Sequence, residues 1–416
     1  MLVIFRGAPG QMSAIDDILS ADDESTAGLH RVPVALFALA VGVMVTNLFA
    51  PQTMLPGIAE SFQLKGSYTG LIAMVTLLGY SAGLFLLVPL ADLYENRRLV
   101  LVMLSLACVT AAIIVVVDNV VVLFPLLFLL GAACSAIQIL VPIAASMTAP
   151  ERRGRVIGDV MGGLMVGILL ARPAASFLEG LWGWRAFYVA STGFTAVLTL
   201  LLAFKLPQRW PEKTLGYLGL IRSLFNLFAT QPVLRRRAIS AAIVMAAFNL
   251  FWTSIATILQ SEAFGLSADG VGLFALVGAG GAVVTPLFGR MADGGHSKAV
   301  TSSSHVLLIL GFAVAAWAGT SQSELNTALL CLLGLSAVLL DVGVTGDQTI
   351  GRRAINHLKP EARGRINGLF VGLFFLGGAA GSAASGFLWT WGGWSLTCIV
   401  GALLGISALI LGLKAK

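Results

Sequence analysis

What most constrains this chain is a series of apolar stretches, each long enough to cross a bilayer. A helix crossing the hydrocarbon core needs about 20 predominantly apolar residues. Twelve such stretches occur, with cores near 34–56, 70–91, 99–117, 120–147, 156–180, 186–204, 238–259, 271–292, 299–318, 325–350, 366–390 and 395–413. They are far too long for strands, and lipid leaves no solvent for an open backbone. The expected fold is therefore an all-α membrane protein of twelve transmembrane helices and not a barrel. Composition agrees. Charged residues make up 11% of the chain, against about 25% in a soluble domain.

Lys and Arg set the expected orientation. With the N-terminus inside and the spans alternating, 23 of the 26 basic residues fall in inside segments. Lys65 and Arg185 fall outside, and Arg172 lies within a span. This positive-inside bias puts both termini in the cytoplasm of a multi-pass protein, expected in a bacterial inner membrane. It also accounts for the net charge of +6 without any nucleic-acid partner. Residues 1–31 contain Asp16, Asp17, Asp22, Asp23 and Glu24 and only a short apolar run. They read as a disordered cytoplasmic tail and not a secretory signal, with Met12 as an alternative start. Cys108, Cys134, Cys331 and Cys398 all fall in spans and read as packing residues.

The chain repeats itself. Shifted by 210 residues, "APERRGRVIGDVMGGLMVGILLARPAASFLEGLWGW" lies on "KPEARGRINGLFVGLFFLGGAAGSAASGFLWTWGGW" without a gap. Arg153, Gly154, Arg155, Gly158, Gly167, Gly183 and Trp184 all meet identical residues, and upstream Gln138 meets Gln348. "ADLYENR" from Ala91 similarly matches "ADGGHSK" from Ala292. The organisation is two parallel six-helix halves, 32–204 and 238–416, joined by a basic linker, 205–237. Such halves point to alternating access around a midplane site.

At these motifs the chain resembles the major facilitator superfamily. "PLADLYENRRLVL" resembles its signature between the second and third helices, with Asp92, Arg97 and Arg98 matching. Val88, Leu93 and Glu95 replace its usual glycine, basic residue and second glycine. "GILLARP", "LRRRAI", "FNLFWT" and "PEARGRINGLF" resemble the bacterial arabinose-efflux-permease-like group, described as proton-driven sugar or drug exporters. The arginine of the drug-antiporter signature in the fourth helix is replaced by Leu127. The antiporter glycines of the fifth are met loosely by Gly158, Gly167 and Ala171, and Arg172 precedes Pro173. The resemblance implies a cytoplasmic gate of Asp92, Arg97, Asp293, Arg153, Arg155, Arg363 and Arg365. In it, Asp92 faces the start of the eleventh helix and Asp293 the start of the fifth.

The repeat helps to weigh the remaining charges. Arg172 lies over Ser382 and Asp341 over Gly131, so the shared fold demands neither. A charge at the bilayer centre costs about 2.5–3.5 kcal/mol on insertion scales and needs a partner or a wet cavity. Gly163, Gly167, Ala171 and Ala175 form a small-residue stripe that lets another helix approach, and Arg172 sits at its edge. Two readings of Arg172 stand: it snorkels or pairs with Glu179 seven residues on, or it is a cation facing the outer cavity. Asp159 is explained by Arg155 one turn away. Asp341 is either a structural acid or the coupling-proton carrier, since a buried carboxylate can hold a proton at neutral pH. Asp347 reads as pairing with local basic residues, and His305 as structural. A direct Arg172–Asp341 bridge is not expected, because they lie about 24 Å and about 13 Å from the inner helix ends.

The resemblance lines the cavity with the first, fourth, seventh and tenth helices. Their polar residues are Asn47, Gln52, Gln138, Asn249 with Trp252, Asp341 and Gln348. Together with Arg172 they are the expected substrate set. "GYSAG" at 79–83 imitates a serine-hydrolase motif, but it lies inside an apolar helix and carries no catalysis. No metal or cofactor motif occurs. The expectation is a monomeric, non-enzymatic secondary transporter exporting a small organic solute, with proton coupling. Uniport and proton-coupled import are the alternatives, ahead of a ligand sensor or a membrane enzyme. In the linker, Leu218, Ile221, Leu224, Phe225 and Phe228 form an amphipathic pattern, expected to lie along the membrane surface.

Overall fold

The computed structural model describes residues 34–211, 215–320, 327–359 and 362–414. The tail 1–31 and Met12 lie outside the described residues. Helix occupies each of the twelve expected stretches, and no strand occurs among the described residues. Among the described residues, nine helices are individually long and apolar enough to cross a membrane, or ten when the bent pair Val34–Phe49 and Pro51–Ser61 counts as one span. The 51-residue helix Arg363–Leu413 is two spans joined at Gly392 and Gly393. The eighth span is broken into Ala268–Leu276 and Gly280–Asp293.

Three spans are interrupted near their middles. The first bends by 48° where Pro51 opens its second helix, since proline cannot donate to the preceding turn. The fourth breaks between Val120–Cys134 and Ile137–Ser146, and the eighth at Val277–Ala279. The seventh, Pro232–Gln260, and the tenth, Thr327–Asn356, run unbroken.

The sequence repeat reappears as repeated packing. A side chain at Gly163 would land on the Ala38 backbone, and Gly167 lies on Gly42, so the small-residue stripe of the fifth span seats the first. In the other half Gly377, the counterpart of Gly167, lies on Ala242 of the seventh span. Gly183 and its counterpart Gly393 both take positive φ, 81° and 61°. That conformation suits glycine and lets each span end in a tight turn. The tryptophans that follow both anchor the turn. Trp184 Nε1 donates to Ser61 Oγ at 2.9 Å and Trp394 Nε1 to the Ala315 carbonyl at 2.7 Å.

The linker contains the helix Tyr217–Thr230. Its buried residues are Leu220, Leu224 and Leu227, while Leu218 and Phe225 point outward. The inner face is thus rotated from the expected stripe, and the helix packs on the protein. Tyr217 Oη donates to the Leu86 carbonyl, and Ser223 Oγ accepts from Arg365.

Candidate functional site

The face carrying Arg152, Arg153, Arg155 and Arg235–Arg237 is called the basic face. Arg172, on the fifth span, starts toward the opposite face, but helical side chains lean toward their own N-terminus. Its guanidinium therefore turns back toward the middle of the molecule. Nε donates to Gln52 Oε1 at 2.8 Å, and Gln52 Nε2 donates to Asn249 Oδ1 at 2.6 Å. The guanidinium carbon lies 4.2 Å from the Trp252 ring centre, with Phe49 and Phe248 at 5.2 and 5.5 Å. Trp252 Nε1 donates to Asp341 Oδ1 at 3.2 Å.

A continuous polar chain results: Asn249, Gln52, Arg172, Trp252 and Asp341. It draws on the first and fifth spans of one half and on the seventh and tenth of the other. Arg172 and Asp341 share the indole without forming an ion pair: the guanidinium lies over its face and the carboxylate at its N–H edge. A desolvated cation–π contact contributes about 2 kcal/mol or more. Arg172 is 5% exposed, and its Nη2 has no hydrogen-bond partner.

The pairing with Glu179 is not formed. Glu179 Oε2 is buried without a partner, and the carboxylate packs beside Gly57. Seven residues share a helix face but differ in height by about 10 Å, and Arg172 leans the other way. The Arg155–Asp159 pair is also missing, with both side chains exposed. Among the described residues, ion pairs join Arg185 to Asp118 and Arg353 to Asp293, and His305 Nε2 lies 3.0 Å from Asp347 Oδ1.

The other expected substrate residues are dispersed. Asn47 Oδ1 accepts from Ser191 of the sixth span at 2.8 Å, fastening two helices of one half. Gln138 bridges the halves, donating to Tyr80 Oη and accepting from Asn367 Nδ2, both at 3.3 Å. Gln348 is partly exposed and hydrogen-bonds to no described residue. A cavity of about 350 Å³ lies toward the opposite face, lined by Leu55, Thr69, Thr253, Ser254, Thr257 and Ser385. It begins at the residue after Trp252 and includes none of the expected set.

At the basic face the two expected gate carboxylates differ. Asp92 lies within electrostatic reach of Arg365, at the start of the eleventh span. Asp293 does not reach the fifth span and pairs with Arg353 of its own half. The reason is visible along that flank. The fifth and eighth spans meet near the opposite face, where Gly272 lies on Ser176 and Gly180 beside Asp269, whereas Gly154 and Gly158 have no close neighbours. Arg97 donates to the Ala203 carbonyl and Arg153 to that of Thr148. Arg155 and Arg363 are exposed.

Two arrangements were not anticipated from sequence. Asp347 is 1% exposed and accepts from Ser240 Oγ and from His305 Nε2, each at 3.0 Å. His305 is fully buried. Asp347 thus joins the seventh, ninth and tenth spans behind the polar chain, with no local basic residue involved. Arg352 lies inside the tenth span, within electrostatic reach of the Tyr80 phenol of the other half, and its buried Nε has no partner among the described residues. A sequence signal existed for Arg352. Asp341, Thr345, Gln348 and Arg352 follow at spacings of four, three and four, one helical face.

Comparison with known proteins gives a consistent result. The Major Facilitator Superfamily pattern matches residues 36–346 and 238–415. The chain is 36% identical over 377 residues to the uncharacterized transporter YgaY of Escherichia coli O157:H7, covering 91% of this chain and 94% of that one. It is 29% identical to the Streptomyces coelicolor transporter SCO4007 over 89% of this chain and 84% of that one. Among solved structures, the peptide transporter POT superposes with a TM-score of 0.71 at 15% identity, covering 91% and 92% of the two chains. The nucleoside transporter NupG gives 0.68 at 16%, covering 92% and 100%. These two likenesses establish the fold. Family pattern and curated relatives agree over nearly the whole chain, which belongs to the Major Facilitator Superfamily of membrane transporters.

Proposed function

We infer that this transporter is a proton-coupled exporter of a small organic solute, working by alternating access in a bacterial cytoplasmic membrane with its basic face inside. The observation that carries the reading is the polar chain from Asn249 to Asp341, built by four spans from both halves at one level. A solute gripped there touches both halves. It can bias their equilibrium only as far as it binds the two arrangements differently. Arg172 offers charge and Trp252 and Phe49 offer apolar faces. Asp341, the carboxylate joined to this layer, carries the proton. Asp92 and Asp293 act at the cytoplasmic gate in alternate states.

One observation favours a second reading, proton-coupled import. Arg172 and Asp341 share Trp252 and sense each other's charge. A proton on Asp341 leaves Arg172 as the net charge of the layer, so proton and anionic group load together, as symport requires. The test is flux in proteoliposomes of a solute found by thermal-shift screening, at two opposed pH gradients. Antiport predicts uptake driven by an acidic interior, and symport uptake driven by an alkaline one. Asp341→Asn should remove the pH-driven part and spare binding. Flux indifferent to both gradients and to Asp341→Asn sinks the coupling.

A further inference from the structure

Below Arg172 the two halves meet along a row of aromatic rings. Phe49 touches the Arg172 guanidinium, with its ring 6.2 Å from that of Phe375. Phe375 lies 4.6 Å from Tyr80, edge to face. Tyr80 in turn lies within electrostatic reach of Arg352. An aromatic wall, drawn from the first, second and eleventh spans, thus runs between two guanidiniums. Each of these has a buried nitrogen without a hydrogen-bond partner, Nη2 of Arg172 and Nε of Arg352. Asp341 is the acid that Arg172 faces. Arg352 has no carboxylate within ion-pair distance among the described residues. Arg352 also shares its helix face with Gln348, Thr345 and Asp341, all partly exposed.

A buried guanidinium nitrogen left unbonded is costly, and burial strengthens the attraction of the group for an anion. We propose that Arg172 and Arg352 are the two ends of an anion-binding pathway, and that the solute is an amphipathic organic anion. Its carboxylate, sulfonate or phosphate passes between the guanidiniums while its apolar body lies on Phe49, Phe375 and Tyr80. A guanidinium presents a planar fork to such oxyanions, which explains arginine at both positions. The proposal rests on reading this interface as the transport route.

The test reads local potential and needs no known solute. Thr345→Cys, on the face shared by Asp341 and Arg352, is introduced after the native cysteines are replaced by alanine. Its rates with an anionic and a cationic methanethiosulfonate are compared, each normalised to Leu218→Cys, a residue 81% exposed on the linker helix. The anionic reagent should be favoured roughly tenfold, as expected for a focused charge in a cleft. Arg352→Gln should remove most of that preference and Arg352→Lys should keep it, with melting curves confirming that both fold. Equal rates, a cationic preference, or no reaction with either reagent overturns the proposal, as does a preference that survives Arg352→Gln. If Arg352→Gln does not fold, the unsubstituted ratio and Arg172→Gln decide. The measurement is made on purified protein without flux. A carrier of cations would fail it, and a chain that transports nothing could still pass.

Discussion

Replacing Asp347 by alanine tests whether the cluster behind the polar chain holds the second half together. The carboxylate is 1% exposed and accepts two hydrogen bonds, from Ser240 Oγ and His305 Nε2, each at 3.0 Å. Its removal leaves the Ser240 hydroxyl and the His305 imidazole, 3.4 Å apart, with only each other to bond. A buried polar group left unsatisfied costs about 1–3 kcal/mol, and breaking a buried pair costs about 3–5 kcal/mol. Side-chain bonds between membrane helices are weaker, at about 0.6–2 kcal/mol, because the unfolded chain in lipid or detergent also finds partners. The expected loss is therefore about 3 kcal/mol. Asp347→Asn, which keeps an acceptor, should lose about 1 kcal/mol. The assay is a double-mutant cycle of Asp347→Ala and His305→Ala by unfolding in detergent, where the coupling should reach about 1–3 kcal/mol. Ser240 is about 13 Å along the helix from Asn249, so solute affinity should change little in variants that remain folded. If Asp347→Ala unfolds within about 0.5 kcal/mol of the parent, or if the double variant loses the sum of the singles, the cluster is not a unit.

Three further outcomes are expected. Arg172→Ser copies Ser382 of the sister helix, so the variant should melt near the parent but carry solute poorly. Arg172→Lys keeps the charge, loses the fork over Trp252 and should lower flux about tenfold, whereas normal flux in the serine variant would reduce Arg172 to packing. Gly163→Val should destabilise by about 1–3 kcal/mol or more, because its side chain meets the Ala38 backbone. Gly158→Ala, with open space around it, should gain up to about 1 kcal/mol of helix propensity, read from the same melting curves. Limited proteolysis should spare Tyr217–Thr230, and rapid cutting within it would contradict the packed helix.

Much of the architecture could be read from the sequence because bilayer thickness fixes span length and duplication leaves identities in register. Gly183 and Gly393 match in sequence and share an unusual φ. Gly167 and Gly377 match and do the same packing. The site was legible only in part. Arg172 stood out because charge within a span is costly, yet sequence spacing pointed to Glu179, since it gives a helix face but not the lean of a long side chain. Trp252 was named only as a cavity residue, and its place between Arg172 and Asp341 depends on how the seventh span packs. Ser240, His305 and Asp347 lie on three helices, 65 and 42 residues apart along the chain. Each alone reads as a minor polar residue. Arg352 carries a periodic signal, but the apolar stretch that marks the tenth span ends near residue 350 and leaves it outside.

The breaks in the first and eighth spans adjoin the polar layer, and the fourth lies at the Tyr80 end of the aromatic wall. The first falls between Phe49, which touches Arg172, and Gln52, which accepts from it. The fourth adjoins Gln138, and the eighth passes Gly278, which lies against Trp252 and Asp341. Where a helix is interrupted its two arms can swivel, so a span broken at this layer can act as a lever with its fulcrum there. Ten residues of helix make an arm of about 15 Å, and a swivel of about 10° swings its tip by about 2.5 Å. The unbroken seventh and tenth spans provide the fixed frame against which such arms turn. A solute seated at the fulcrum need shift its neighbours only slightly for the far tips to part or meet.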